Sequence, residues 1–450
     1  MRFSSHVAAG TLALAPLVAG IDLTINDTES VHSAAKTIAY GMVKYYHGNE
    51  SGGVPGLLGD PYYWWECGAM FNSLINYWYY TGDSTYNEIV KQGLLFQTGT
   101  DNNYMPINET KNEGNDDQVF WGFAVMSAAE YKFTDPGDNE PGWLALAQGV
   151  FNSQAARWDS DHCGGGLRWQ IFTWNNGYNY KNSPSNGGLF NMAARLYAYT
   201  GNETYAHWAN KVWNWMEDTV GLIGDAYEIY DGTQISNNCT SLDHTRWSYT
   251  QGMMLNGAAV MWNMTNTTEW KTRTEGLFNA TAYFFNEQKV MREVCEASDN
   301  CNLDEQSFKA YLARFMAAST KSAPFLYDQV IEYLDASAVA AAAQCDGGTD
   351  GVTCGMAWTK NSTYDGNYGV GEQMAALEVV QSTLIKKATA PVSSSTGGTS
   401  QGDPSAGTSG DTSNAAAPTS KITTADRAGA GIVTVFLCLG TAAGGYWLIA

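Results

Sequence analysis

Basic residues are scarce in this 450-residue chain: 24 Lys and Arg stand against 45 Asp and Glu, a net charge of −21. So acidic a surface repels phosphates, which excludes nucleic acid as a partner. It suits solubility outside a cell and is silent about fold. Histidines number only six, and no pair among the eight cysteines has zinc-finger spacing, so neither a metal nor any other cofactor is expected. Runs that alternate apolar and polar residues are missing too. Apolar residues recur at helical intervals almost throughout, which points to an all-α chain.

The ends carry export and anchoring signals. Arg2 precedes an apolar stretch from Thr11 to Val18, and the small residues Ala19 and Gly20 supply a cleavage point, so residues 1–20 read as a signal peptide. Residues 388–414 are a Ser/Thr/Gly-rich stalk by composition, which cannot bury a core. From Ala428 to Ala450 the chain is apolar and ends without a basic tail. A small-residue site, a polar spacer and an apolar tail are the parts of a GPI-attachment signal. Asn414 is the expected site, with Ser409 and Ser413 as alternatives, and residues 415–450 are the propeptide removed. A transmembrane helix is the rival, diluted by Gly429, Gly431, Gly440, Gly444 and Gly445.

The interior agrees with secretion. Asn-x-Ser/Thr sequons stand at Asn26, Asn49, Asn108, Asn202, Asn238, Asn263, Asn266, Asn279 and Asn361, and each occupied one must lie on the surface. With Cys438 in the tail, seven cysteines remain. Close spacing suggests Cys295–Cys301 and Cys345–Cys354 as local staples; Cys163–Cys239 is then the long bridge, and Cys67 a buried thiol.

A local pattern repeats. Tyr77-Trp78-Tyr79-Tyr80 leads into Thr81-Gly82-Asp83; Leu196-Tyr197-Ala198-Tyr199 leads into Thr200-Gly201-Asn202; Met261-Trp262-Asn263-Met264 leads into Thr265-Asn266-Thr267. A weaker copy runs from Tyr131 through Pro136-Gly137-Asp138 to Trp143. Gly or Asn closes one helix in the left-handed conformation, and Ser or Thr caps the next. The spacing predicts helices over 28–47, 61–80, 84–98, 116–133, 142–158, 185–200, 204–219, 248–264, 267–286, 305–318, 325–343 and 367–385. Six hairpins close into an (α/α)₆ barrel over residues 21–387, with an open solenoid as the rival.

Alternate helices are then inner and begin at one mouth. Their starts include Trp64-Trp65-Glu66, Asn115-Asp116-Asp117-Gln118 with Trp121, Asn186, Tyr249 with Gln251, Asp304 and Glu372. Carboxylates, amides and aromatic faces converging there suit a sugar, although Trp and Tyr also fill helix–helix interfaces. The sharpest feature is Asp116-Asp117. Such acids serve as helix caps; at an inner-helix start both can also project into the mouth. Glycosidic cleavage requires two carboxyl groups, and neighbouring ones repel, which keeps one protonated. Trp64, Trp65, Glu66, Asn115, Gln118, Trp121, Asn186, Tyr249 and Gln251 are the expected sugar contacts. An inverting enzyme would instead take its second carboxylate from Glu66, Asp304 or Glu372.

The Gly114-Asn115-Asp116-Asp117-Gln118 start, the Trp64-Trp65-Glu66 helix and the (α/α)₆ pattern resemble glycoside hydrolase family 76, over about residues 28–385. The stalk and GPI signal are similar to those of its fungal cell-wall branch, the GPI-anchored mannan endo-1,6-α-mannosidase-like proteins. That resemblance implies a retaining mechanism with Asp116 as nucleophile and Asp117 as general acid/base. It implies a mannan or GPI-core glycan donor, a cell-wall glucan acceptor and attachment to the membrane through the GPI lipid. The expectation is a monomer on the outer face of the plasma membrane or in the cell wall. A non-catalytic glycan-binding wall protein on the same barrel is the alternative.

Overall fold

Among the described residues there are twelve α-helices: α1 Thr28–Val43, α2 Trp64–Thr81, α3 Asn87–Phe96, α4 Asn115–Tyr131, α5 Trp143–Ala156, α6 Ser183–Thr200, α7 Glu203–Asn214, α8 Ser248–Thr265, α9 Thr268–Ala280, α10 Phe308–Ser322, α11 Tyr327–Ala343 and α12 Val370–Ser382. The computed structural model describes residues 20–109, 113–360 and 363–409, and Thr434. Residues up to 409 form one unit, and Thr434 alone represents the unit from 410 to 450. The signal peptide, Asn361, Ser413, Asn414 and the apolar tail except Thr434 thus lie outside the described residues, as does Gly20's upstream cleavage context.

The even-numbered helices form a ring. Each of α2, α4, α6, α8 and α10 packs on the next, and α12 returns to α2, so the array closes and is not a solenoid. Inner helices are buried on nearly every face: from Asn115 to Glu130 of α4 only Asp117 is partly open. Outer helix α1 buries one stripe with Val31, Ala34, Ala35, Ile38, Ala39 and Met42, the i, i+3, i+4 spacing of a one-sided helix, whereas outer helix α5 is buried on nearly every face. This is an (α/α)₆ barrel.

The repeated turns are helix caps at the base of the ring, the end opposite the inner-helix N-termini. Gly82 (φ 73°) and Gly201 (φ 71°) close α2 and α6, and Asn266 (φ 51°) closes α8, each N–H bonding the carbonyl four residues back. In the weaker copy Lys132 takes this place at φ 60°. The caps of the following helices vary: Asn202 accepts from Thr204 N and Thr267 from Trp270 N, whereas α3 has no side-chain cap.

Two features depart from the sequence reading, both through contacts between residues distant in the chain. A three-stranded antiparallel sheet, β1 Tyr180–Asn182, β2 Gly232–Gln234 and β3 Leu242–Asp243, sits at the mouth. Strands of two or three residues are too short to show alternation. The segment from 388 onward, read as a stalk, does not leave the barrel at once; it is bonded to it as far as Ser409.

Three disulfides, Cys163–Cys239, Cys295–Cys301 and Cys345–Cys354, join the expected pairs, and Cys67 is free and buried. The eight described sequon asparagines are all exposed. No described helix is long and apolar enough to cross a membrane.

Candidate active site

The inner-helix N-termini surround a groove of two joined lobes. The larger, of about 790 Å³, is bordered by the first turn of α2 and by residues 169–176. The smaller, of about 260 Å³, is bordered by Asp116, Tyr180, Asn182, Asp231 and Tyr249. Trp65, Asp117, Trp169 and Asp304 line both.

Asp116 and Asp117 occupy the first turn of α4, where the free N–H groups of a helix start favour acidic side chains. Asp117 Oδ2 accepts from Gly114 N at 2.6 Å, the bond from the third helical residue back to the N-cap, with no side chain on Gly114 to return it. Asp116 Oδ2 accepts from Asn182 Nδ2 at 2.9 Å, and its Oδ1 from Asp117 N at 3.1 Å. The capping reading and the mouth reading are therefore both right: the pair caps α4 and faces the groove. Gly114 makes room for it. A Cβ there would lie within 3.1 Å of both Asp116 Oδ1 and Asp117 Oδ2. Those oxygens are consequently no more than about 6 Å apart, closer than the ~6.5 Å at which inverting pairs begin.

Electrostatics separate the two acids. Burial pushes the Asp116 carboxyl up to about 7, against the opposing pull of the Asn182 amide. Burial and the neighbouring Asp116 charge push Asp117 well above the carboxylate range. The pair thus retains a proton near neutrality, and the donated Asn182 hydrogen bond favours placing the negative charge on Asp116.

Across the groove, Asp304 Oδ1 accepts from Trp65 Nε1 at 3.1 Å, and its charge raises both aspartates. Of the carboxylates considered for an inverting arrangement, only Asp304 borders the lobes. Glu66 caps α2 through Tyr63 N at 2.8 Å, and neither it nor Glu372 borders either lobe.

Three of the nine expected sugar contacts border the groove: Trp64, Trp65 and Tyr249. The other six face neighbouring helices and loops. Besides Glu66, Asn115 Nδ2 donates to Arg168 O at 2.8 Å, and Gln118 donates to Asn103 O at 2.7 Å and Ser153 Oγ at 2.9 Å. Trp121 is stacked between Trp64 and Tyr104, with ring centres 5.0 and 5.2 Å away. Asn186 bonds Leu167 in both directions, and Gln251 donates to Tyr227 O and Leu277 O. A helix's first turn points in several directions, and only one is toward the axis.

Residues missed by sequence reasoning come chiefly from the α5–β1 connection. Asn115 N bonds Trp169 O at 2.8 Å and Trp169 N bonds Tyr180 O at 2.7 Å, which brings this segment against the aspartate helix. The aromatic and amide run Trp169-Gln170-Ile171-Phe172-Thr173-Trp174-Asn175-Asn176, lacking helical periodicity, was the available signal.

A closed helical ring with paired carboxyl groups in an aromatic-lined groove defines a glycoside hydrolase. Comparison with known proteins narrows this. A profile for glycosyl hydrolase family 76 matches residues 30–395. The mannan endo-1,6-alpha-mannosidase DCW1 of Saccharomyces cerevisiae is 46% identical over 441 residues, 98% of each chain. The crystal structure of Dfg5 from Chaetomium thermophilum in complex with glucosamine superposes with a TM-score of 0.82 at 43% identity, covering 85% of this chain and 97% of that one. An inactive variant of the α-1,6-mannanase GH76A of Salegentibacter sp., altered at two consecutive aspartates and bound to α-1,6-mannotetrose, shares the fold: TM-score 0.63, 17% identity, 79% of this chain and 98% of that one. The chain belongs to glycosyl hydrolase family 76.

Proposed function

We propose that this enzyme is a retaining α-1,6-mannosidase-type glycosidase and transglycosidase. Its donor is mannan or a GPI-core glycan, and it joins GPI-anchored mannoproteins to cell-wall glucan. The carrying observation is the adjacent Asp116–Asp117 pair at the junction of the two lobes. It is the only Asp-Asp dipeptide in the sequence. The inactivation of the Salegentibacter mannanase at two consecutive aspartates and the names of the yeast relatives support the same reading.

Asp116 borders only the smaller lobe, so the donor sugar sits there and Asp116 attacks its anomeric carbon. Asp117, bordering both lobes, protonates the glycosidic oxygen that departs into the larger lobe. The C–O bond breaks as the Asp116 ester forms. Asp117, now anionic, takes a proton from the incoming hydroxyl, which displaces Asp116 and restores the pair. Water in that place gives hydrolysis, and a glucan hydroxyl gives transfer. Asn182 stabilises Asp116 as the anion, and the exposed Trp169 and Trp174 of the larger lobe offer faces for sugar rings, while the buried Trp64 and Trp65 form its wall.

By the same reading the chain is secreted, anchored through GPI at Asn414 and placed on the outer face of the plasma membrane or in the wall. Asp116→Asn and Asp117→Asn should each abolish turnover without unfolding. Normal biological activity with Asp116→Asn would instead favour a non-catalytic glycan binder. Product-anomer analysis by NMR tests retention. Mass spectrometry of a reaction containing a GPI-glycan fragment and a glucan acceptor shows whether a joined product forms.

A further inference from the structure

The Ser/Thr/Gly-rich segment after α12 is built into the barrel. It begins at the base, where Val392 N bonds Glu130 O and Ser394 N bonds Tyr199 O, each at 2.9 Å. It then caps α5, which lacks a side-chain cap of its own. Ser400 Oγ accepts from Leu144 N at 2.9 Å, and Gln401 O accepts from Ala145 N at 3.1 Å, satisfying N–H groups left free at a helix start. Asp403 N bonds Gln148 Oε1 at 2.8 Å, and Asn152 Nδ2 donates to Pro404 O and Ala406 O at 3.0 and 2.8 Å. Successive contacts thus follow α5 from its base end toward its mouth end. At the top, Gly407 N bonds Asp101 O at 3.0 Å and Ser409 N bonds Asp101 Oδ2 at 3.2 Å. Asp101 lies on the connection from α3 to α4, which also supplies Glu109 and Glu113 to the larger lobe.

Gly407 shows why glycine is used here. Its φ is +70°, and a Cβ would run into the backbone of Gly149. The composition that reads as a flexible linker is what lets the chain lie flat on a helix.

We propose that residues 388–409 are a fixed return strap. It carries the C-terminus from the base of the ring to the mouth, so that a lipid attached just beyond turns the groove toward the membrane and its lipid-linked glycans. This rests on the C-terminal anchor and on the glycan-processing reading. The five residues from Ser409 to Asn414 reach at most ~17 Å. The 14 residues of α5 rise ~21 Å, the height separating base from mouth. A tether starting at the mouth therefore holds the mouth, rather than the base, beside the bilayer.

The test uses the full processed chain with its lipid, in phosphatidylcholine vesicles carrying a small share of quencher lipid. One fluorophore is placed by Glu287→Cys, exposed on the mouth-side connection between α9 and α10. Another is placed by Asp138→Cys, exposed on the base turn between α4 and α5. The buried Cys67 is shielded from the label. The expected result is several-fold stronger quenching at position 287. Gly407→Val, which frees the strap from α5, should narrow that difference while turnover of a soluble α-1,6-linked mannose tetrasaccharide persists. Equal quenching, or stronger quenching at 138, would overturn the proposal. Failure of the chain to stay with vesicles would remove the anchor and this inference together. Turnover of the soluble tetrasaccharide by the same sample reports on the glycosidase reading independently.

Discussion

Asn182 donates its side-chain Nδ2 to Asp116 at 2.9 Å, while its side-chain Oδ1 accepts from Ser185 N at 3.3 Å to cap α6. One residue therefore ties two inner-helix starts together and holds the more acidic member of the aspartate pair as an anion. Asn182→Asp keeps an acceptor for the cap, removes the donor and adds a like charge. The acid limb of the kcat profile should move to higher pH. Asp304→Asn removes a charge that raises both aspartates, so both limbs should move to lower pH. Parallel pH–rate profiles check the opposite signs.

Gly114→Ala tests the closeness of the pair. Gly114 has φ −99°, which alanine adopts freely, so strain is not the issue. The added methyl meets both carboxyl groups. Displacing either by ~1 Å should lower kcat about 10²-fold while the helical circular dichroism is retained.

Stability should fall as pH rises. Burial pushes Glu66 up to about 8, and Asp116, Glu293 and Glu372 up to about 7. Each holds its proton more tightly folded than unfolded. Between the ordinary carboxyl values of 3.8 and 4.5 and those raised ones, the folded state binds more protons, and stability is lost with rising pH up to about 8. Urea midpoints measured from pH 4 to 8 should decline across the whole range.

Trp121 lies between Trp64 and Tyr104 and is fully buried. Trp121→Ala should cost ~3–5 kcal/mol, read from urea unfolding. Activity should also drop, because Trp64 of the larger lobe loses its backing.

Charge should select substrates. Asp60, Glu109, Glu113, Asp116, Asp117, Asp231, Asp304 and Glu305 line the two lobes, and among the described residues lining them there is no Lys, Arg or His. A phosphorylated mannose oligosaccharide should bind more weakly than its neutral counterpart, and the gap should shrink as salt rises. Calorimetric titration at two ionic strengths measures it.

One-sided outer helices such as α1 were legible because burial against one neighbour forces a 3.6-residue rhythm, the inner ones because Gly or Asn turns mark their ends, and their order along the chain predicts the ring. The site was legible only in part. Asp116 and Asp117 stand out as a pair at an inner-helix start, yet Gln118 and Asn186, equally polar and equally near such starts, turn to neighbouring elements, and Glu66 turns back to cap its own helix. Asp304 was legible only as one of three candidate second carboxylates, and Asn182 reaches the groove from the end of a three-residue strand too short to show alternation.

The sequence by itself determined the helical hairpins, their capping turns, the two closely spaced cysteine pairs and the doublet of aspartates, because each depends on residues near in the chain or on strong local preference; the Cys163–Cys239 bridge, 76 residues apart, was left to the remaining cysteines. Only the tertiary structure decided which first-turn side chains face the axis, which loop closes the groove and that the Ser/Thr/Gly-rich segment lies along α5. Those outcomes depend on the rotation of each helix about its own axis and on hydrogen bonds between residues distant in sequence. Composition carries no record of either.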